Sequence, residues 1–475
     1  MSRVLIVSNR LPVTAAMVGG TLRLTRSVGG LATGLLSHHE RSGGLWIGWP
    51  GNAEALDGVD AAEVARRFAE LNTVPVELTP DEIARYYGHM SNGVLWPLFH
   101  YQLDQIPLHV TDWDVYELAN RRFADAIVAH HEPGDLVWVH DYQLMLVPAL
   151  VRQHIPDARI GFFLHIPFPS SEVFAALPAR DAVLRGLLGA DLVGFHTAAY
   201  ARHFASTVQR VLDVRSDARE TPVRIRHSGR QTEVNVFPMG VDASALSARA
   251  RSGAVVALLE RTRSPSNIAL FLGVDRLDYT KGIPRRLLAF EQLLLKHPEL
   301  HERVRLVQLA VPSREGVGAY QRIRRQVDGL VGRINGDFGT ATWTPIHYLY
   351  RSVPKDELLA LYRAAAVMLV TPVRDGMNLV AKEFVAARVD EDGALVLSEF
   401  VGAAAELAAA LSVNPYDVEG SAEVYYRALT MPHEERRSRM QAMRARVAEY
   451  DVHAWSASFL HALARTGPET TAAER

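Results

Sequence analysis

The densest chemistry in the chain lies in Thr371-Pro-Val-Arg374-Asp375-Gly376-Met377-Asn378-Leu379-Val380-Ala-Lys382-Glu383. An apolar run, Val367–Thr371, leads into a polar turn containing Gly376, and a helical pattern starts around Met377. A glycine turn at a helix start offers backbone N–H groups and the positive end of the helix dipole, which suits a diphosphate. Glu383 falls about two turns into that helix, where its carboxylate could accept hydrogen bonds from ribose hydroxyls. The same spacing also fits an ordinary capped turn with a solvent-facing glutamate. A second polar loop, Gly273-Val-Asp275-Arg276-Leu-Asp278-Tyr-Thr-Lys281-Gly282-Ile-Pro284, follows another apolar run. Arg276 and Lys281 place two cations at a strand's carboxyl end, an arrangement that neutralises a departing phosphate. The competing reading is surface salt bridging with Asp275 and Asp278. Only four of the 51 basic residues are lysines (Lys281, Lys296, Lys355 and Lys382), which favours a need for a compact ammonium where a lysine persists.

The N-terminal half carries Ser8-Asn9-Arg10 after its first apolar run and Ser27-Val-Gly29-Gly30-Leu31 at the opening of a helical pattern. Neither G-x-G-x-x-G nor G-x-x-x-x-G-K-[ST] is present, so the dinucleotide fingerprint and the P-loop are excluded. The hydrolase elbow G-x-S-x-G is missing too. Asp141 follows the run Leu136–His140, and His165 follows Gly161–Leu164; both are polar groups at strand carboxyl ends, where sites gather in α/β sheets. Asp112-Trp-Asp114 and Asp390-Glu-Asp392 match D-x-D only weakly. Pro298 interrupts the spacing of His297 and His301. No metal site is expected at any of these, and the pairs His38-His39 and His130-His131 read as surface residues at helix ends.

These residues need strands and helices to hold them. Val4–Ser8, Leu136–Val139, Arg159–Leu164, Asp191–Phe195 and Glu233–Phe237 read as one series of strands. Ala269–Val274, Val304–Val311, Val367–Thr371 and Ala394–Leu397 read as a second. Most are continuous apolar runs, as in parallel strands covered on both faces. Helical patterns at Val115–His130, Tyr200–Leu212, Ser244–Arg261, Arg285–Lys296, Val317–Val331 and Asn378–Ala387 lie between them. Alternating strands and helices predict an α/β chain with two doubly wound sheets, hinged near residues 238–242.

The 475 residues are 48% hydrophobic and 22% charged, ample for two or three domains. The formal charge of -2 argues against a general nucleic-acid or membrane-surface binder. With no cysteine, disulfides, a thiol nucleophile and thiolate metal sites are excluded. No apolar run approaches the roughly 18 residues of a membrane span, and the N-terminus lacks a signal-peptide pattern, so a cytoplasmic protein is expected.

Taken together, the segments resemble the trehalose-6-phosphate synthase family of retaining glycosyltransferases. The resemblance rests on Val7-Ser8-Asn9-Arg10, Gly29-Gly30-Leu31, Gly44-Leu-Trp46-Ile-Gly-Trp49, Tyr86-Tyr87 and Leu95-Trp96-Pro97. It continues through Trp138-Val-His-Asp141-Tyr142, Phe163-Leu-His165-Ile-Pro-Phe-Pro169, the Asp275–Gly282 loop, Arg333-Ile-Asn335-Gly336 and Arg374–Glu383. It implies a GT-B fold of two Rossmann-like domains facing across a cleft: an acceptor-binding domain over 1–240 and a nucleotide-sugar-binding domain over 241–455. Residues 456–475 would be a helix end crossing back to the first domain, then a frayed tail. No metal or cofactor is implied.

The implied reaction moves glucose, with retention, from a nucleoside diphosphate glucose to the anomeric hydroxyl of glucose 6-phosphate, giving α,α-trehalose 6-phosphate. UDP-glucose stands first among UDP-, GDP- and ADP-glucose; the region near Trp343–His347 does not separate them. On this resemblance Arg276 and Lys281 match the pair on the donor diphosphate, and Met377, Asn378, Leu379 and Val380 supply backbone N–H groups. Glu383 matches the carboxylate on the ribose, Asp375 the one on the donor sugar, Gly30 the loop over the donor, and His165 the residue beside the donor sugar. Arg10, Tyr87 and Arg314 match the acceptor-phosphate site, with Trp96 and Asp141 on the acceptor sugar. A homo-oligomer and a separate trehalose-phosphate phosphatase acting downstream are further expectations. The alternatives are a transferase using another donor or acceptor, such as a GDP- or ADP-sugar or a cyclitol phosphate, and a non-catalytic regulatory homologue that binds sugar phosphate.

Overall fold

The continuous apolar runs become the interior strands of two parallel sheets. The computed structural model describes residues 2–18, 21–26, 35–36, 39, 42–51, 59–214, 222–262, 268–314 and 318–466. The chain divides into two units, Met1–Pro238 with Val452–Arg475, and Met239–Asp451.

The first unit holds β1 (Val4–Arg10), β2 (Val13–Val18), β3 (Thr21–Arg26), β4 (Leu45–Trp49), β5 (Thr73–Pro75), β6 (Leu136–His140), β7 (Arg159–Phe163), β8 (Leu192–Phe195), β9 (Val223–His227) and β10 (Arg230–Val236). Eight of these form one sheet in the order β5-β4-β1-β6-β7-β8-β10-β9, parallel throughout except for the last pair. β9 and β10 are joined by Ser228 and Gly229, both at positive φ, as the tight turn of a twisted hairpin requires. The long connection after Arg10 is itself an antiparallel pair, β2 with β3. The last helix, Val452–Arg465, belongs to this unit. Its Trp455 and Phe459 pack on Trp138 at centroid distances of 5.1 and 4.6 Å. A Cβ on Gly161 would stand 2.7 Å from Phe459 Cε1, and one on Gly194 2.8 Å from Phe459 Cε2, so two bare strand positions form the seat of this helix.

The second unit holds β11 (Ala269–Arg276), β12 (Val304–Val311), β13 (Ile346–Leu349), β14 (Val367–Val370), β15 (Ala394–Ser398) and β16 (Leu411–Val413), in the order β13-β12-β11-β14-β15-β16 with every pair parallel. Successive residues feed opposite faces. Met368 and Val370 enter one apolar cluster and Val367 and Leu369 the other, so these strands read as solid apolar runs. The stretch expected as one helix over 244–261 is two, Ala243–Ala250 and Gly253–Thr262. Met239 is tied into this unit by Lys382, whose buried Nζ donates to Met239 O at 2.8 Å and pairs with Glu406. A Cβ on Gly240 would meet the Asp451 carbonyl carbon at 2.4 Å, so the chain enters and leaves this unit side by side.

Counting strands within each central sheet, the first runs 3-2-1-4-5-6-8-7 and the second 3-2-1-4-5-6, sharing the doubly wound order whose reversal point lies between strands 1 and 4. That point falls between β1 and β6 in the first unit and between β11 and β14 in the second. Gly161→Val should cost about 1–3 kcal/mol by forcing Phe459 and Leu463 off their seat, read as a lower denaturation midpoint by tryptophan fluorescence.

Candidate active site

In the second unit the two polar loops of the sequence meet where β11 and β14 diverge. Beneath them lies Arg286, fully buried on the helix Ile283–Lys296. Its guanidinium pairs with Asp275, and it donates to Gln308 Oε1 at 2.9 Å and Thr371 Oγ1 at 3.0 Å, joining the ends of β11, β12 and β14. A Cβ on Gly273 would sit 2.6 Å from Arg286 Nη1, so only glycine leaves room for this guanidinium. Asp275 therefore serves the interior and does not bridge Arg276 at the surface. Gly282, at φ +67°, turns the chain into the helix with Pro284 in its first turn, and a Cβ there would meet Thr371 O at 2.4 Å.

Above this frame Lys281 is buried, with Nζ 2.6 Å from Asp375 Oδ2. Asn378 Nδ2 donates to the same oxygen at 3.1 Å. Arg276 is exposed at the end of β11. Asn378, at φ +68°, caps the helix Leu379–Ala387, its Oδ1 accepting from Ala381 N at 3.3 Å. The N–H groups of Leu379 and Val380 then have no carbonyl of their own helix to reach and point out of its first turn. Gly402 abuts Gly376, where a Cβ would fall 2.0 Å from Gly376 O, and this contact fixes the turn before the helix. Glu383 is partly buried and accepts from Tyr362 OH at 3.1 Å; burial pushes its carboxyl upward, and the Tyr362 hydroxyl and Lys355 work against that rise.

Asp278 is fully buried, with Thr280 N at 2.9 Å from Oδ1 and Tyr320 OH at 3.0 Å from Oδ2. Burial pushes this carboxyl up, but Arg314, Lys281 and Arg276 outweigh it and hold the pKa at about 2. Arg314, at φ +49°, places Nη1 2.5 Å from Tyr320 OH and 3.7 Å from Asp278 Oδ2. Asp278 is thus a permanent internal anion, and the surface ion pair allowed by the spacing is not what forms.

In the first unit the other candidates gather where β1 and β6 part. Ser8 Oγ donates to Arg10 O at 2.7 Å and accepts from Trp46 Nε1 at 2.8 Å, which shapes the end of β1. The Arg10 guanidinium lies 4.8 Å from the Trp49 ring centroid. Residues 84–95 form a rare run of π-helical turns, a geometry associated with functional sites. Tyr87 and Trp96 sit on and just after it. It is anchored by Tyr86 OH on Asn9 Oδ1 at 3.0 Å and by Asn92 Oδ1 accepting from Tyr142 OH at 2.7 Å. Trp96 lies 5.8 Å from the Tyr142 ring, beside Asp141. Asp141 itself has φ +76° and ψ 168°, a region almost reserved for glycine that costs about 1–3 kcal/mol. Hydrogen bonds hold it there: Asp141 N donates to Phe163 O at 2.9 Å, Leu144 N donates to Asp141 O at 3.1 Å, and His165 N donates to Asp141 Oδ1 at 3.1 Å.

The structure thus brings Lys281, Asp375, Asn378 and the Leu379–Val380 turn together in one unit, and Arg10, Tyr87, Trp96, Asp141 and His165 around one switch point in the other. Arg314 belongs to the second unit. Gly30 lies outside the described residues. Sequence reasoning missed Arg286, Gln308, Tyr320 and Tyr362, and the only available signals were their offsets from the two loops. His39 corrects the surface reading of its pair: it is buried, with Nε2 3.0 Å from Asn72 O, because it packs edge-on to Trp46 under β4. Among the described residues no group of three or more metal-ligating side chains converges, and no helix is long and apolar enough to cross a membrane. Asp112 is taken up by Arg85 and His89, and Asp392 by Arg436.

Two Rossmann-like units, each with its polar loops at the carboxyl ends of parallel strands, define the GT-B class of glycosyltransferases. The profile of glycosyltransferase family 20 matches residues 2–465, and the chain belongs to that family. It is similar to the trehalose-6-phosphate synthase of Mycobacterium avium, 45% identical over 98% of this chain and 95% of the relative. The alpha,alpha-trehalose-phosphate synthase [UDP-forming] 56 kDa subunit of Kluyveromyces lactis is 42% identical over 98% of this chain and 96% of its own length. A solved E. coli structure bound with UDP-2-fluoro glucose superposes with a TM-score of 0.86 at 37% identity, covering 98% of this chain and 99% of that one. The Burkholderia xenovorans synthase in complex with glucose-6-phosphate gives 0.85 at 35% identity over 97% and 100%.

Arg286→Met strands the Asp275 carboxylate in the interior and should cost about 3–5 kcal/mol of unfolding free energy in denaturant titrations. Asp275→Asn in the same chain should recover part of it. A second expectation concerns acid. Burial holds His140 and His165 well below the ordinary imidazole range, and lowers His227 and His347 as well. Histidines kept neutral in the fold bind fewer protons than the unfolded chain, so their contribution is intact above about pH 6.5 and is lost as pH falls below it. Glu383, raised by burial, acts in the opposite sense. The unfolding midpoint should therefore drop between about pH 6.5 and 5, ahead of the range where ordinary carboxylates titrate.

Proposed function

We propose that this chain transfers glucose, with retention, from UDP-glucose to the anomeric hydroxyl of glucose 6-phosphate, releasing UDP and α,α-trehalose 6-phosphate. The observation that carries the reading is the placement of Lys281, on Asp375, beside the Asn378-capped start of the helix Leu379–Ala387 at the second unit's switch point, in a member of glycosyltransferase family 20. The ligands bound in its relatives' solved structures, UDP-2-fluoro glucose and glucose-6-phosphate, support the choice of donor and acceptor. The second unit binds the donor. Arg276, Lys281 and the N–H groups of the Met377–Val380 turn take the diphosphate, Glu383 the ribose and Asp375 hydroxyls of the sugar. The first unit binds the acceptor, Arg10 and Tyr87 holding its phosphate together with Arg314, and Trp96 and Asp141 its ring. Gly30 is assigned to the loop over the donor and His165 to the side of the donor sugar.

The chemistry follows from charge. Breaking the anomeric C–O bond leaves the pair of electrons on the nucleoside diphosphate and an oxocarbenium-like sugar. Two preorganised cations stabilise the leaving oxygens in a partly desolvated setting, where such contacts carry most weight. The acceptor hydroxyl attacks on the face just vacated and gives its proton to the departing phosphate. Asp141 and Asp375 bind and orient, so no carboxylate needs to act as nucleophile. Lys281 rests on Asp375 at 2.6 Å, and a bound diphosphate competes with that carboxylate for the ammonium.

Incubation with glucose 6-phosphate and UDP-, GDP- or ADP-glucose in parallel, with the product identified by mass and NMR, tests the reading. An α,α-1,1-linked disaccharide phosphate from UDP-glucose is the expected product; no product from any donor would overturn the assignment. Arg276→Ala and Lys281→Ala should each cost about 2–4 kcal/mol of transition-state stabilisation, read in kcat, and near-normal turnover in both would remove the leaving-group roles.

A further inference from the structure

His140, the last residue of β6, has no place in the roles above, yet it is enclosed completely beside a candidate site residue. Its ring packs against Trp138 at 4.6 Å and Trp455 at 6.4 Å between centroids. Nδ1 stands 3.1 Å from His165 Nε2. Nε2 is buried and meets no hydrogen-bonding partner among the described residues. His165 differs: its residue is only partly buried, its backbone N–H is committed to Asp141 Oδ1, and Nδ1 is not among the enclosed unpaired atoms. Nδ1 is therefore the nitrogen of His165 that reaches the open side of the site. The titratable neighbours of the pair among the described residues include Asp141, on the His165 backbone N–H, and His196, whose ring centroid is 5.7 Å from that of His165.

One proton sits between His140 Nδ1 and His165 Nε2, and its ownership fixes both tautomers. If His165 Nε2 donated, His140 would carry its own proton on Nε2, burying an N–H against indole rings with no acceptor, and orphaned buried N–H groups are rare. If His140 Nδ1 donates, every N–H of the pair is either hydrogen-bonded or on the open side. We propose that His140 is a positioning residue: it donates Nδ1–H to His165 Nε2 and so holds His165 as the Nδ1–H tautomer, its single N–H aimed at a hydroxyl oxygen of the transferred sugar. The sugar in that statement rests on the function proposed above; the tautomer does not. Burial holds both imidazoles well below their ordinary range, helped by each ring's histidine neighbour, so at neutral pH the pair has no charge to set and only the tautomer is fixed.

The test uses the full-length protein with 15N-labelled histidine, resonances assigned through His165→Asn, and ring nitrogens read by long-range proton–nitrogen correlation at neutral pH without substrate. His165 is expected as the Nδ1–H form. His140→Asn, whose amide N–H stands where the imidazole Nδ1–H did, should preserve that form, and His140→Leu should shift it toward Nε2–H. The kcat/KM for sugar transfer should fall about tenfold in His140→Leu, the worth of one hydrogen bond, and recover in His140→Asn. An Nε2–H tautomer in the unaltered protein, or equal losses in the two variants, overturns the proposal. A protein that turns over no sugar donor yet shows the Nδ1–H form would refute the proposed function and leave the tautomer assignment standing.

Discussion

At the reversal point of a doubly wound sheet, the crossovers from two neighbouring strands leave toward opposite faces, and the carboxyl ends of both strands stay uncovered. Both units live with that exposure. In the second, the loops after β11 and β14 are tied from below by the buried Arg286, which reaches Asp275, Gln308 and Thr371 at once, and from above by Lys281 on Asp375. The planar fork of a guanidinium can bind three strand ends where an ammonium could serve only one direction. Lys281, Gly282 and Asp375 take their places from that junction.

Electrostatics then sorts the charged groups by depth. Asp275 and Asp278 lie deepest, each with cations or hydrogen-bond donors drawn in around it. Lys281 and Asp375 are shallower and rest on each other, with Asn378 donating to the same carboxylate oxygen. Arg276 is outermost. A carboxylate fixed below and a cation presented above produce a graded field that favours an incoming anion over the resting carboxylate only when that anion carries more charge, as a diphosphate does. The first unit does something different: it stores strain, at Asp141, in a backbone region that a non-glycine residue occupies at a cost.

Much of this was legible in the residues. All nine strands read from apolar runs are present, because interior parallel strands covered on both faces leave a continuous apolar signature. The strands not foreseen, β4, β5, β9, β13 and β16 among them, are short or lie at or near sheet edges, where three to five residues give little pattern. The two polar loops were visible as glycine-bearing turns after such runs. Arg286 was not, since 47 arginines make any one of them look like solvent-facing surface, and its burial depends on Gly273 in another element. His39 failed for the same reason in reverse, because the enclosure comes from Trp46 and Asn72. The π-helical turns at 84–95 have no sequence signature distinct from an ordinary helix.

The seating of Val452–Arg465 on Gly161 and Gly194 bears on how the chain is made. The first unit is built from two stretches separated by all of Met239–Asp451, so its sheet emerges from the ribosome without its final helix. At about 5–20 residues per second, the intervening unit imposes a delay on the order of 10–40 s. Through that interval Trp138, Phe163 and the bare glycine strip face solvent or a chaperone. The second unit, contiguous in sequence, is free to complete itself first. The half that begins the polypeptide is therefore the half that finishes folding last.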